Sequence, residues 1–247
     1  MLIAQLKQRL LGKTASKQQG DFASETAYDI WAGSYDAQPD NLMLALDEEV
    51  FSVLLKQINM EGSSVADIGC GTGRHWPEIL KHKPCNLTGF DVSAKMLAEL
   101  KTKFPEADVV KIDGYRPLQL GEKVYDVLLS TLTVAHIANM ERSVKSWTNS
   151  LKGKSSILIT DFHPEALARG GKRTFEHDGH SISIINYVHT ISKLLKLFGE
   201  QGFALEALEE RFVDEQVKHY YEKKNALPVY HKFKNQPMIY GMLLTRK

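Results

Sequence analysis

The chain has 247 residues and a formal net charge of +1, with 43% hydrophobic and 25% charged residues. That length suits one large α/β domain with additions or two small domains, and the charge balance gives no bulk attraction to nucleic acid or an acidic membrane. Two cysteines, Cys70 and Cys85, exclude a disulfide framework and fit a cytoplasmic protein, and no stretch approaches the ~20 apolar residues of a membrane span.

No acid precedes Asp21, while Lys7, Arg9, Lys13 and Lys17 accompany Leu2, Ile3, Leu6, Leu10 and Leu11 at helical spacing. A surface-lying or targeting helix is one reading. A helix packed as a cap on the domain is the preferred one. Residues 1–45 are accordingly expected to form a cap or lid, and residues 46–247 the main domain. Residues 12–24 are small and polar and read as a linker. Tyr28 to Asp36 is a short aromatic-rich segment. Pro39, Asp40 and Asn41 signal a helix start, and Leu42, Leu44, Leu46, Val50, Val53, Leu54 and Ile58 describe an amphipathic helix ending near Glu61-Gly62.

An alternation of short apolar runs and helical periods follows, as in a parallel sheet with crossover helices. Strand one is Ser64–Ile68, with a helix from about Arg74 to Lys81 that tolerates Pro77 only in its first turn. Strand two is Asn86–Phe90, followed by a helix capped by Ser93 and ending at Phe104-Pro105. Strands three and four are Asp108–Ile112 and Tyr125–Leu129. A helix from Asn139 to Leu151 leads to strand five, Ser156–Thr160. Residues 162–190 have no clean period and read as an insertion on the substrate side. Ile191–Phe198 is helical, Phe203–Val213 is strand six, Asp214–Lys224 is helical, and Pro237–Thr245 is the final strand.

The chemistry concentrates after strand one. Val65-Ala66-Asp67-Ile68 runs into Gly69, Gly71 and Gly73, where backbone can approach a ligand closely. In such sheets ligands lie at the carboxyl ends of the strands. The spacing is G-x-G-x-G, not the G-x-G-x-x-G of dinucleotide-binding domains. Asp67 would repel a pyrophosphate and attract an ammonium group, which disfavours a nicotinamide oxidoreductase. Asp91, at the end of strand two, sits about 20 residues on, where acids bind ribose hydroxyls. Val92 and Met96 would supply apolar surface under a base.

The stretch from Val65 to Thr160 resembles the class I, type 11-like S-adenosylmethionine (SAM)-dependent methyltransferases. The resemblance implies an α/β fold: a seven-stranded, mostly parallel sheet with helices on both faces and an antiparallel last strand. It implies SAM as cofactor and S-adenosylhomocysteine (SAH) as product. It further implies that Asp113 and Gly114, after strand three, contact the adenine. Ser130, ending strand four, joins the cofactor-side residues, and Tyr35, with Tyr28 as the second candidate, closes over the cofactor. An Asp-Gly pair is also an ordinary turn.

Methyl transfer from a sulfonium mainly needs alignment and exclusion of water, with a base only for protic acceptors. His136 and His163 follow strand ends on the ligand side and are the candidate bases; His177, His180 and His189 are further histidines in or beside the insertion. Each is also open to a structural role. Asp161, His163, Glu165, His177 and His180 match no zinc spacing, so no metal is expected. The Arg, Lys, His and aromatic content of the insertion suggests a polar, anionic small-molecule acceptor. Ser130-Thr131-Leu132-Thr133 lacks the Asp/Asn-Pro-Pro-aromatic motif of base N-methylases, and there is no strong nucleic-acid signal. A non-catalytic SAM-binding protein, or a methyltransferase acting on RNA or protein, is the alternative.

Overall fold

The computed structural model describes residues 18–114 and 124–247. The expected N-terminal basic helix and residues 12–17 of the linker lie outside the described residues. The main sheet contains β2 (Ser64–Ile68), β3 (Asn86–Asp91), β4 (Asp108–Lys111), β5 (Tyr125–Thr131), β6 (Leu151–Phe162), β9 (Ala204–Phe212) and β10 (Pro237–Arg246). Its order is β4-β3-β2-β5-β6-β10-β9, parallel except that β10 runs antiparallel to both neighbours. The order reverses between β2 and β5, so a crevice opens at their carboxyl ends.

Helices cover both faces. On one lie α2 (Leu42–Leu55), α3 (Trp76–Lys81) and α4 (Ala94–Lys103), packing Val50, Phe51, Leu54, Ile79 and Leu100 against Val65 and Leu129. On the other, α5 (Met140–Ser150) and α7 (Ile191–Gly199) bury Trp147 and Phe198 against Leu128, Ile157 and Met242. Burial on both faces explains why β2 and β3 read as continuous apolar runs instead of alternating. The caps follow the sequence. Asn41, Ser93, Asn139 and Thr190 each accept hydrogen bonds from the first turn of the following helix. Pro77 does fall in the first turn of α3.

The differences are confined to the additions. The end of the expected linker is a strand, β1 (Gln18–Phe22), and the aromatic-rich segment is a helix, α1 (Ser24–Tyr35). The insertion is ordered. It holds a short helix, α6 (Pro164–Ala168), and a hairpin of β7 (Thr174–His177) and β8 (His180–Ile184) that turns at Asp178-Gly179. β1 pairs in parallel with β8, forming a three-stranded sheet, β1-β8-β7. Ala27, Trp31, Phe175, Ile182 and Ile184 form its own small core, together with Met96 of α4. Towards the C-terminus, α8 (Lys218–Lys223) is shorter than expected, and α9 (Leu227–Phe233), which carries Pro228 in its first turn, falls in a stretch for which no element was expected. Proline is accepted in a first helical turn, where its missing N–H costs nothing. No helix among the described residues is long and apolar enough to cross a membrane.

Candidate active site

A cavity of about 330 Å³ lies at the carboxyl ends of β2, β3 and β5, under α1 and beside the end of β8. The glycine turn supplies its floor. Gly69, Gly71 and Gly73 all have positive φ, and a Cβ added at Gly71 would meet nothing within 4 Å, which leaves the backbone open to a ligand. Gly69 and Gly71 line the cavity.

Asp91 is the organising acid. It is buried, and its two carboxylate oxygens accept from the N–H groups of Gly71 and Ser93, each at 2.8 Å. It therefore ties the turn to the start of α4 and still has lone pairs for two more donors. Burial pushes its pKa up to about 6, against these backbone hydrogen bonds. Val92, Met96, Asp113 and Gly114 continue the wall from Asp91, and Tyr35 of α1 closes the opposite side.

Four residues expected at the site do not line the cavity. Asp67 is set back from it, with its carboxylate accepting from the Trp76 indole N–H at 2.8 Å; burial pushes its pKa up to about 6. Gly73 is a packing glycine, since a Cβ there would lie 3.0 Å from Leu100. The side chain of Ser130 is fully buried. His163 caps α6, accepting the Glu165 N–H at Nδ1 and donating from Nε2 to Glu210 at 2.9 Å. With both ring nitrogens engaged, it has no lone pair for catalysis. Among the described residues, no three His, Cys, Asp or Glu side chains gather to hold a metal.

His136 does reach the cavity. Leu132, in the left-handed region at φ 51°, turns the chain after β5 into a 3-10 turn, Val134–His136. Nδ1–H of His136 donates to the Ile185 carbonyl at 3.1 Å, which leaves Nε2 as the acceptor for the Tyr28 hydroxyl at 3.0 Å. Burial, and then the charge of Arg173, push the His136 pKa down to about 4, so the ring is neutral at pH 7. Burial raises the Tyr28 hydroxyl well above its ordinary value. Beneath the turn, Asp161 accepts from the N–H of Ala135 at 2.8 Å and of Phe162 at 2.6 Å, and burial pushes its pKa up to about 7. The Tyr28–His136 pair and the nearby Arg173 were not apparent from the sequence.

The glycine turn, the buried acid after β3 and the reversed strand order define a nucleoside-binding doubly wound α/β domain. Residues 66–159 match the methyltransferase domain family, so that segment is a SAM-dependent methyltransferase domain, and the chain carries the class I methyltransferase fold. The chain is 25% identical to an uncharacterized methyltransferase of Emericella nidulans, over 77% of this chain and 81% of the relative. It is 28% identical to a malonyl-[acyl-carrier protein] O-methyltransferase of Priestia megaterium, over 72% of this chain and 62% of the relative. It is 24% identical to a tRNA U34 carboxymethyltransferase of Campylobacter curvus, over 58% of this chain and 49% of the relative. Among solved structures, a SAM-dependent methyltransferase of Mesorhizobium loti superposes with a TM-score of 0.63 at 20% identity, covering 81% of this chain and 100% of that one. The [4+2]-cyclase SpnF superposes with a TM-score of 0.65 at 16% identity, covering 94% and 99%.

Proposed function

We propose that this methyltransferase acts on a small molecule whose nucleophile carries a proton, with His136 receiving that proton through Tyr28. The observation that carries this reading is the fixed tautomer of His136, whose lone pair at Nε2 faces the Tyr28 hydroxyl. Bound SAM supplies an electrophilic methyl group on a positively charged sulfur. Asp91 accepts the ribose hydroxyls, Gly69 and Gly71 admit the methionyl half, and Val92, Met96, Asp113 and Gly114 hold the base. Asp67 and Gly73 support the turn from behind. Asp91, whose pKa burial raises, lines the cavity and suits a ligand that donates to its carboxylate.

The Tyr28 oxygen takes the proton from the acceptor as its own hydroxyl proton moves to His136 Nε2. With a pKa near 4 the imidazole is a weak base, so its share of the rate is set at the low end of the usual range, ~10²-fold. The described part of the expected 1–45 cap, from residue 18 on, and the insertion at 162–190 together form the cap on the acceptor side, a reading supported by the pairing of β1 with β8. The same reading puts the reaction in the cytoplasm.

The experiment is release of SAH by the purified protein with SAM and a panel of hydroxy and amino compounds, with tRNA and an acyl carrier protein as separate arms. Turnover on small molecules, reduced in His136→Gln, is the expected result. Turnover confined to tRNA or carrier protein would overturn the acceptor class. Tight SAH binding without turnover on any arm would indicate a fold used for other chemistry.

A further inference from the structure

Arg173 immediately precedes β7, and the residue is 8% exposed. An arginine does not lose its proton in a protein, so this is a permanent buried cation. Nη2 donates to the Tyr35 hydroxyl at 3.2 Å, and Nε is buried without a partner. The guanidinium lies 5.3 Å from the Trp31 ring centre and 6.0 Å from that of Tyr28. Among the described residues no carboxylate pairs with it, whereas Arg74 and Arg211 each have two acidic partners. Asp161 and Asp47 are the acids whose charge acts on it, yet the oxygens of Asp161 are committed to backbone N–H groups and Asp47 is engaged by Arg74, His75 and Thr160. A buried cation with most of its donors unused is costly unless an anion joins it.

Arg173 and Trp31 do not line the cavity themselves, but two other neighbours of the cation form part of its wall. Tyr28 and Tyr35 both line the cavity, and the His136 ring centre lies 5.4 Å from that of Tyr28, on which Arg173 also converges. We propose that Arg173 anchors a carboxylate of the acceptor, so that the acceptor is a small compound bearing one carboxylate a few bonds from its protic nucleophile. The nucleophile half of this statement rests on the methyl-transfer reading above; the carboxylate half does not. A monoanion fits better than a phosphate. A single guanidinium is available, Lys172 is held by Asp21, and Asp161 would repel a second negative charge.

The test is calorimetry on the SAH-saturated protein with benzoate, 3-hydroxybenzoate, lactate and 3-hydroxypropionate, each against its primary amide, and with inorganic phosphate. Carboxylates are expected to bind at least ~10-fold more tightly than their amides, the effect of one charge-assisted hydrogen bond. Arg173→Gln removes that preference and Arg173→Lys keeps part of it, while SAH affinity stays within about threefold. Equal binding of acids and amides to the wild-type protein overturns the proposal without need of any variant. So does phosphate binding more tightly than every carboxylate, or a preference that survives in Arg173→Gln. Loss of SAH binding by the wild-type protein would instead count against the methyltransferase reading, so the two failures are distinguishable.

Discussion

Asp91 shows how one buried carboxyl can govern a site. Its folded-state pKa near 6 lies above the ordinary 3.8, so the ligand-free fold gains from it below pH 3.8 and loses that gain as pH rises through 6. Ligand affinity runs the opposite way, because ribose hydroxyls need the ionised form as acceptor. SAH binding measured by calorimetry should weaken ~5-fold from pH 6 to pH 5 and approach ~10-fold per pH unit below that, one proton being linked to binding. Asp91→Asn should lose that slope and cost ~1.5–3 kcal/mol at pH 7.5; an unchanged slope would mean another group titrates. The relay makes a second demand. Tyr28→Phe and His136→Gln should each lower kcat by ~10²-fold, and the double variant should fall little further, since the two act as one path. Additive losses would separate them. Asp91 was legible because it ends strand two about 20 residues past the glycine turn, whereas Asp113 was reached only through the family resemblance. The partners of Tyr28 and Arg173 were not legible, because the first meets His136 across 108 positions and the second meets Tyr35 across 138. The Trp76 indole N–H that Asp67 accepts was hidden for a related reason, since no charge pattern marks it.

Among the elements, the cap is a structure in its own right. Trp31 of α1 is 1% exposed and stacks on Phe175 of β7 with ring centres 4.4 Å apart. Asp29 of α1 accepts from the Ser93 hydroxyl at 2.6 Å and from the Lys95 N–H at 3.2 Å, which fixes the helix to the start of α4 beside Asp91. Cap and cofactor acid therefore share one anchorage. Trp31→Ala should cost ~3–5 kcal/mol within this small core. Hydrogen exchange should then show faster opening of residues 21–35 and 174–184 together, with the main sheet still protected. Exchange that speeds up in only one of the two segments would show that they do not move as a unit. The main strands were legible because apolar runs of strand length alternate with helical periods. β1 was not, because Gln-Gln-Gly-Asp-Phe has no hydrophobic signature and exists only through its pairing with β8. The β7–β8 hairpin hid for a similar reason, since its histidines and acids mask an alternation carried by Phe175, Ile182 and Ile184.

At the scale of the whole molecule, Asp47 joins three layers. It is fully buried in α2, ion-paired with Arg74 beyond the glycine turn, and hydrogen-bonded to His75 Nε2 at 2.9 Å and to the hydroxyl of Thr160 in β6. Burial alone would raise its pKa, but Arg74, and then His75 and Thr160, hold it well below the usual carboxylate range. Replacing it with Asn would leave the Arg74 charge with only the half-exposed Glu48 at 3.2 Å. The expected cost is near the lower bound for a broken buried pair, ~3 kcal/mol. For a chain of this length that corresponds to a fall in Tm of about 10 °C, measurable by calorimetry. The sign of the pH dependence follows from the lowered pKa. The Asp47 contribution is fully present above pH 3.8 and disappears as pH falls through its folded value. The gap between wild type and Asp47→Asn should therefore stay constant from pH 8 to pH 5 and narrow only below about pH 4. A gap that closed near neutrality would mean that Asp47 is not the ionised member of this network. Because Arg74 follows directly on Gly73, the same variant should weaken SAH binding even though Asp47 does not line the cavity. Unchanged SAH affinity in a destabilised Asp47→Asn protein would show that the turn keeps its shape without this tie.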